Sequence, residues 1–360
     1  MAESGKIPLL GMTLDKLKET VLTNGLPAFA ATQIARWLYQ KGARSIDEMT
    51  NLSKKARAAL AEKYYVGRQE PITSAISTDG TVKYLFAGAG DRDVEAVYIP
   101  DRDRATLCVS SQAGCRMGCV FCMTGRQGFH GQLGASAIIN QILTVDELAR
   151  KSQDKGNESE HALTNIVFMG MGEPLDNLDA VLDTIDILTS KWGLAWSPKR
   201  ITVSTIGKIP ALKRLIESTK VHIAVSVHSP VPARREKLMP VERAFPVRDV
   251  MTLLRGYDFA HQRRLSVEYI MWKGVNDSLR DADTLARLIA GTAARVNIIR
   301  FHAIPESDLR PTSIETMEAF RDRLNALGVT ATIRASRGED IMAACGMLAG
   351  KHKNQKDQLT

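Results

Sequence analysis

No apolar run in this chain of 360 residues approaches the ~18 residues that a membrane-spanning helix needs, so a helical membrane protein is excluded. The N-terminus, Met1-Ala2-Glu3-Ser4, lacks the basic stretch and apolar core of a secretory signal. Cysteine is scarce. Five residues, an odd number, do not make the disulfide framework of a small secreted domain. These absences predict a cytoplasmic protein with no membrane partner. Composition is otherwise that of an ordinary globular protein, 44% apolar and 24% charged. The length suits one large domain plus a smaller one.

Positive charge is in excess, net +8 with a pI near 9.2, and it is concentrated at the ends. Residues 1–70 hold 11 Lys/Arg against 7 Asp/Glu, and residues 351–360 hold three Lys against one Asp. Either a polyanionic partner, nucleic acid first, or plain solubility accounts for such ends.

Residues 1–70 read as a small helical unit. Leu14, Leu17 and Val21 recur at helical spacing, as do Ile34, Trp37 and Leu38, and a third helix runs to Tyr65. Residues 71–103 read as a β extension. Ile72–Ile76 and Thr81–Phe86 flank the turn Asp79-Gly80, and Val94–Ile99 is a third strand stopped by Pro100.

From residue 104 to 350 strands alternate with helices. Six strands are expected: Ala105–Val109, Asn165–Met169, Arg200–Ser204, His222–Val227, Leu265–Ile270 and Arg295–Phe301. The helices between them are Ala135–Lys151, Leu178–Trp192, Ile209–Glu217, Val247–His261 and Ser278–Ala290, with Ser313–Leu327 after the last strand. The fold class is α/β, a partial barrel of six βα units or a doubly wound sheet. Either form places chemistry at the C-terminal ends of the strands. Residues 351–360 read as a basic tail.

Three cysteines stand together as Cys115-x3-Cys119-x2-Cys122, just after the first strand of this series, and no fourth follows nearby. Three thiolates can hold three irons of a [4Fe–4S] cube and leave the fourth iron open. A zinc site with Cys108 or a histidine as fourth ligand is the alternative, although zinc cysteines usually come as C-x2-C pairs.

The triplet resembles the signature of the radical S-adenosylmethionine (SAM) superfamily. That resemblance implies that the open iron binds SAM and that one electron cleaves it to methionine and a 5′-deoxyadenosyl radical. Met169-Gly170-Met171-Gly172-Glu173-Pro174 resembles the superfamily's GGE-type motif. By the same resemblance Gly172, Glu173, Ser204 and Ser226-Val227-His228 contact SAM. His302 stands where the commoner string has a SAM-contacting asparagine.

Longer strings resemble the RlmN family of radical SAM adenine-C2 RNA methyltransferases: Ser110-Ser111-Gln112-x-Gly114-Cys115, Gln127-Gly128-Phe129, Gly274-Val275-Asn276-Asp277 and Arg337-Gly338 through Ala344-Cys345-Gly346. The resemblance implies 23S rRNA and transfer RNA as partners, with adenosine 37 as the transfer RNA target. It also implies two SAM per turnover, an electron donor such as a flavodoxin and its reductase, and a monomer. Cys345 would carry a methyl group that becomes the attacking radical. Cys108 would resolve the covalent adduct through a transient disulfide, and Glu95 would take the C2 proton. Two alternatives stand beside this: a C8-specific relative that confers antibiotic resistance (Cfr-like), and a non-catalytic RNA-binding protein stapled by a metal.

Overall fold

The computed structural model describes residues 5–152, 161–261, 263–305 and 307–350. The basic tail at 351–360 lies outside the described residues, as do the first four.

Ten strands form one sheet in which every strand pairs with its neighbours in chain order. They are β1 (Thr73–Ile76), β2 (Val82–Phe86), β3 (Val94–Asp101), β4 (Arg104–Cys108), β5 (Asn165–Phe168), β6 (Ile201–Thr205), β7 (His222–Ser226), β8 (Leu265–Met271), β9 (Arg295–Arg300) and β10 (Ala331–Arg334). β1 to β4 are antiparallel, and β4 to β10 are parallel. Parallel strands buried on both faces read as near-continuous apolar runs. Leu107, Ile166, Val203, Ile223, Val225 and Val267 are accordingly all fully buried.

The six expected strands are present. A seventh parallel strand, β10, follows them, and the β extension continues the same sheet across β3 and β4. Pro100 does not stop β3, which runs to Asp101. The last pairing with β2 is Tyr98 with Val82, so no neighbour on that side asks Pro100 for an N–H.

The helices are α1 (Leu14–Thr23), α2 (Phe29–Ala35), α3 (Lys54–Lys63), α4 (Met123–Arg126), α5 (Ala135–Ser152), α6 (Leu178–Thr189), α7 (Ile209–Ser218), α8 (Pro232–Leu238), α9 (Val247–Arg255), α10 (Leu279–Ile289) and α11 (Ile314–Ala326). Side-chain caps start several of them. Thr13, Ser53 and Ser313 each accept from the third backbone N–H onward, and Ser278 with Asp281 forms a reciprocal capping box. The expected helix Val247–His261 stops at Arg255. Beyond it Gly256 caps the last turn, and the Asp258 side chain accepts from the Ala260 N–H. α3 likewise ends at Lys63, because Tyr64-Tyr65 pairs as a short strand with Ile7-Pro8. The helices outside the parallel strands pack in sequence, α5 on α6, α6 on α7, α7 on α9, α9 on α10 and α10 on α11.

The N-terminal helical unit is fixed to this barrel. Tyr39 meets Trp192 edge to face at 5.9 Å. Arg44 and Arg68 both pair with Glu147 on α5, at 2.8 and 3.0 Å. No described helix is long and apolar enough to cross a membrane.

Candidate active site

At the C-terminal ends of the parallel strands lies a solvent-open cleft. Cys115, Cys119 and Cys122 line one wall. Gly172 and Glu173 follow β5, Ser204 and Thr205 end β6, and Ser226 and His228 end β7. Arg334 ends β10, and Cys345 closes the rim. Strand-end placement is what the βα alternation predicts.

The cysteine loop is pinched by an antiparallel ribbon, Gln112–Gly114 against Phe129–Gln132. Cys115 donates its N–H to the Gly128 carbonyl at 2.7 Å. Gly114 has φ +71°, and a Cβ there would stand 2.0 Å from that same carbonyl oxygen, so only glycine fits. Burial raises all three thiols, Cys115 to about 12 and Cys119 well above its ordinary value. Among the described residues no three potential ligands converge on the position of one metal ion. A cube presents its irons at separate corners, so its thiolates stand apart around it. Three thiols on one wall of a solvent-open cleft fit that demand, and iron would supply the positive charge that ionises them.

Glu173 is held from several sides. Thr205 Oγ1 donates to its Oε1 at 2.6 Å, and the Leu175 and Ile206 N–H groups donate at 3.1 Å each. Burial nevertheless pushes the carboxyl up to about 7. Two glycines bring its loop close to the cysteine ribbon. A Cβ on Gly170 would meet the Val109 carbonyl oxygen and Ser110 Oγ at 2.7 Å, and one on Gly172 would meet the Gln112 side chain at 2.5 Å.

His228 is buried, with φ +54°, and Phe121 and Trp272 meet its ring edge to face at 4.9 and 6.0 Å. Ile270 donates its N–H to His228 Nδ1 at 3.1 Å. Burial, aided by Arg235, lowers the imidazole to about 3, so it is neutral and its proton sits on Nε2. Val227 is fully buried, and its carbonyl accepts from Arg235. His302 lies outside the cleft. It lines a neighbouring cavity, where Ser336 Oγ contacts its Nε2 and Glu339 lies 3.0 Å from its Nδ1.

Cys108, Cys345 and Arg334 form a group between the two cavities. Cys108 is buried, and desolvation together with the nearby Cys345 pushes its thiol up to about 12, with Arg334 opposing. Burial works against the Arg334 charge, but Cys345, Glu268 and Cys108 outweigh it and raise its pKa. Cys345 is exposed, and all five cysteines are free thiols. Glu95 lines neither cavity. Lys83 meets its Oε1 at 3.1 Å, and its Oε2 accepts from the N–H groups of Ala349 and Gly350. Alternation nevertheless puts Glu95 on the same face as Val97, whose partner across the ladder is Cys108.

Two family models match this chain: the ribosomal RNA large subunit methyltransferase N-terminal domain over residues 7–66, and the radical SAM superfamily over residues 109–288. A probable dual-specificity RNA methyltransferase RlmN from Phocaeicola vulgatus is 54% identical over 99% of this chain and 98% of its own. A dual-specificity RNA methyltransferase RlmN from Anaeromyxobacter is 40% identical over 95% and 90%. The chain belongs to the RlmN family. A crystal structure of a radical SAM methyltransferase from Sphaerobacter thermophilus, 38% identical, superposes with a TM-score of 0.85 and covers 95% of this chain and 99% of that one. Membership in this superfamily implies a [4Fe–4S] cluster and SAM.

Two residues of this RlmN-family site have no sequence signal. Arg235 is fully buried behind the cysteines. It pairs with Glu242 and donates to the carbonyls of Ile206, Ser226 and Val227, which ties the ends of β6 and β7 together. In Pro232–Leu238 it reads as one more cation on an exposed helix. Thr205 is the second. Its neighbour Ser204 carried the family motif, yet Thr205 holds the glutamate.

Proposed function

We propose that the protein methylates C2 of an adenosine of 23S rRNA in the peptidyl transferase centre, and adenosine 37 of transfer RNAs, through an S-methyl group on Cys345. End-to-end similarity to RlmN proteins supports this reading. The observation that carries it is the position of Cys345: it borders both the cysteine-lined cleft and the open cavity beside it, with Cys108 in the wall behind.

Adenine C2 is electron-poor and has no lone pair to attack a sulfonium methyl, so ordinary methyl transfer fails there. When bound, the cluster supplies the electron that cleaves SAM to methionine and the 5′-deoxyadenosyl radical. Cys115, Cys119 and Cys122 would hold it. Glu173 receives the SAM ammonium, and Ser204, Ser226 and His228 line the rest of the seat. Cys345 takes its methyl from a first SAM, loses a hydrogen atom from that methyl after cleavage of a second, and adds through the carbon to C2. Glu95 then takes the C2 proton once the Ala349–Gly350 amides release it, and the odd electron of the adduct would return to the oxidised cluster, which leaves C2 joined to the Cys345 sulfur through a CH2 bridge. Cys108 attacks the Cys345 sulfur, so that an S–S bond forms as the S–CH2 bond breaks; the freed carbon keeps the electron pair, takes a proton to become the C2 methyl, and the disulfide is left for later reduction. The protein acts in the cytoplasm as a monomer fed by a flavodoxin-type donor.

The test is mass spectrometry of adenosines in large-subunit rRNA from cells with and without the protein. Methylation at C2 is expected. Methylation at C8 instead, or none, overturns the assignment. Anaerobic reconstitution should give about four irons per chain, whereas stoichiometric zinc without iron would make the triplet a structural staple. The Cys108→Ala protein should accumulate covalently joined to RNA, and normal turnover by it removes the resolving role.

A further inference from the structure

Next to the cysteine-lined cleft is a second cavity of ≈ 280 Å³. That volume stands at the lower end of small-ligand pockets, about 300 Å³. Its walls are the β3–β4 hairpin on one side and the ends of β9 and β10 on the other. The two cavities share Arg334 and Cys345. Period-two alternation puts Arg104, Thr106 and Cys108 on one face of β4. The first two line the cavity, and Cys108 ends the row, buried beyond the lining.

Four arginines line this space. Two are committed: Arg337 pairs with Asp101 at 3.1 Å, and Arg334 faces Glu268 at 3.7 Å. Among the described residues Arg104 and Arg300 have no acidic partner, and both are exposed. Although Asp101 also lines the cavity, it is taken by Arg337, and two arginines on opposite rims without carboxylate partners of their own invite an anion, whose phosphate form the planar guanidinium fork matches.

We infer that this cavity receives the target nucleotide and that Arg104 and Arg300 hold the RNA phosphodiesters flanking it. The inference rests on the RNA reading above. Chemistry on a base ring atom requires the base to leave its stack, and phosphates adjoining an extruded nucleotide sit at the mouth of the pocket that takes it. Phosphate contacts of this kind set register on the nucleic acid and carry most of the salt dependence of binding.

The experiment is equilibrium binding of an rRNA fragment containing the target adenosine, by fluorescence anisotropy across a salt series. Each of Arg104→Gln and Arg300→Gln is expected to weaken binding about tenfold to a hundredfold, the range for a lost charge-assisted bond. Each should also flatten the plot of log affinity against log salt by about 0.7–0.9, the share of one phosphate contact. The pair Arg248→Gln and Arg287→Gln, on exposed surfaces of α9 and α10, makes the same change of charge away from the cavity. An equal effect from that pair would mean a general field and overturns the inference. Arg104→Lys and Arg300→Lys keep the charge and should restore the slope but only part of the affinity. A methylphosphonate at the phosphates adjoining the target removes the same contacts, so its loss should not add to that of the Gln variants; additive losses overturn the inference. Wild-type protein that binds no such RNA sinks the RNA reading itself. Unchanged binding by both Gln variants sinks only this subsite.

Discussion

Glu95 Oε2 accepts a hydrogen bond of 2.9 Å from the backbone N–H of Ala349, 254 residues further along the chain. With the Gly350 amide and Lys83, that bond fastens the C-terminal segment that carries Cys345. Glu95→Ala is therefore expected to loosen residues 343–350 as well as to remove the proposed base. Hydrogen exchange should show faster exchange there in Glu95→Ala. In Glu95→Gln, whose amide oxygen can still accept, protection should largely remain while RNA methylation is lost. Equal protection in wild type and Glu95→Ala would sink the fastening role.

Glu173 carries a pH dependence of defined sign. Its folded pKa, about 7, lies above the unfolded value near 4.5. Between those pH values the folded state binds more protons than the unfolded one. Stability of the SAM-free protein should therefore fall as pH rises through that window, by roughly 3 kcal/mol at most from this group. SAM affinity should move the other way and strengthen as pH rises through about 7, because the proposed pairing with the SAM ammonium needs the carboxylate ionised. Denaturant unfolding and calorimetric SAM titration on the acid and alkaline sides of that value check both signs. Thr205→Val removes a donor to the ionised form and should push the SAM transition to higher pH.

Gly172 has φ +95°, and a Cβ would enter the Gln112 side chain. Gly172→Ala should cost about 1–3 kcal/mol from backbone strain. It should also displace Glu173, whose N–H donates to Gln112 Oε1 at 2.8 Å. The expected result is a loss of SAM binding with iron content unchanged, read by calorimetry and iron analysis.

Arg235 and Glu242 are an ion pair out of contact with water. Arg235→Met leaves the Glu242 carboxylate buried without its partner, at a cost of about 3–5 kcal/mol. Adding Glu242→Leu should recover much of that loss, because the buried charge is then gone. A double variant less stable than Arg235→Met in urea unfolding would contradict this.

Much of the site was legible because its chemistry needs particular residues at short range. The cysteine spacing, the Gly170 and Gly172 turn and the serines at strand ends all fall where the βα alternation puts them. Strand β10 escaped because only four residues of Ala331–Arg334 follow the tight turn at Gly328, and periodicity over four residues decides nothing. With it went Arg334. Arg235 escaped for a different reason: sequence shows a charge, not the cluster of carbonyls that buries it. His302 was placed by a motif string, but Ser336 and Glu339 draw its ring toward the second cavity.

The chain-ordered sheet has a consequence for how the molecule is made. Each strand can dock on the one before it, so most of the barrel can grow by local steps while the ribosome is still working. Closure is the exception. Ser77 Oγ reaches Asp340 Oδ1 at 2.6 Å across 263 residues, and Thr78 donates its N–H to the same carboxylate. Closing so long a loop carries its entropy cost at the end. Cys108 therefore waits, folded and alone, until the last stretch of chain brings Cys345 to it. A nascent protein can complete the three-cysteine loop well before it acquires Cys345, the thiol proposed to meet RNA. Pulse-labelling exchange during refolding should find β4 to β7 protected before residues 338–350.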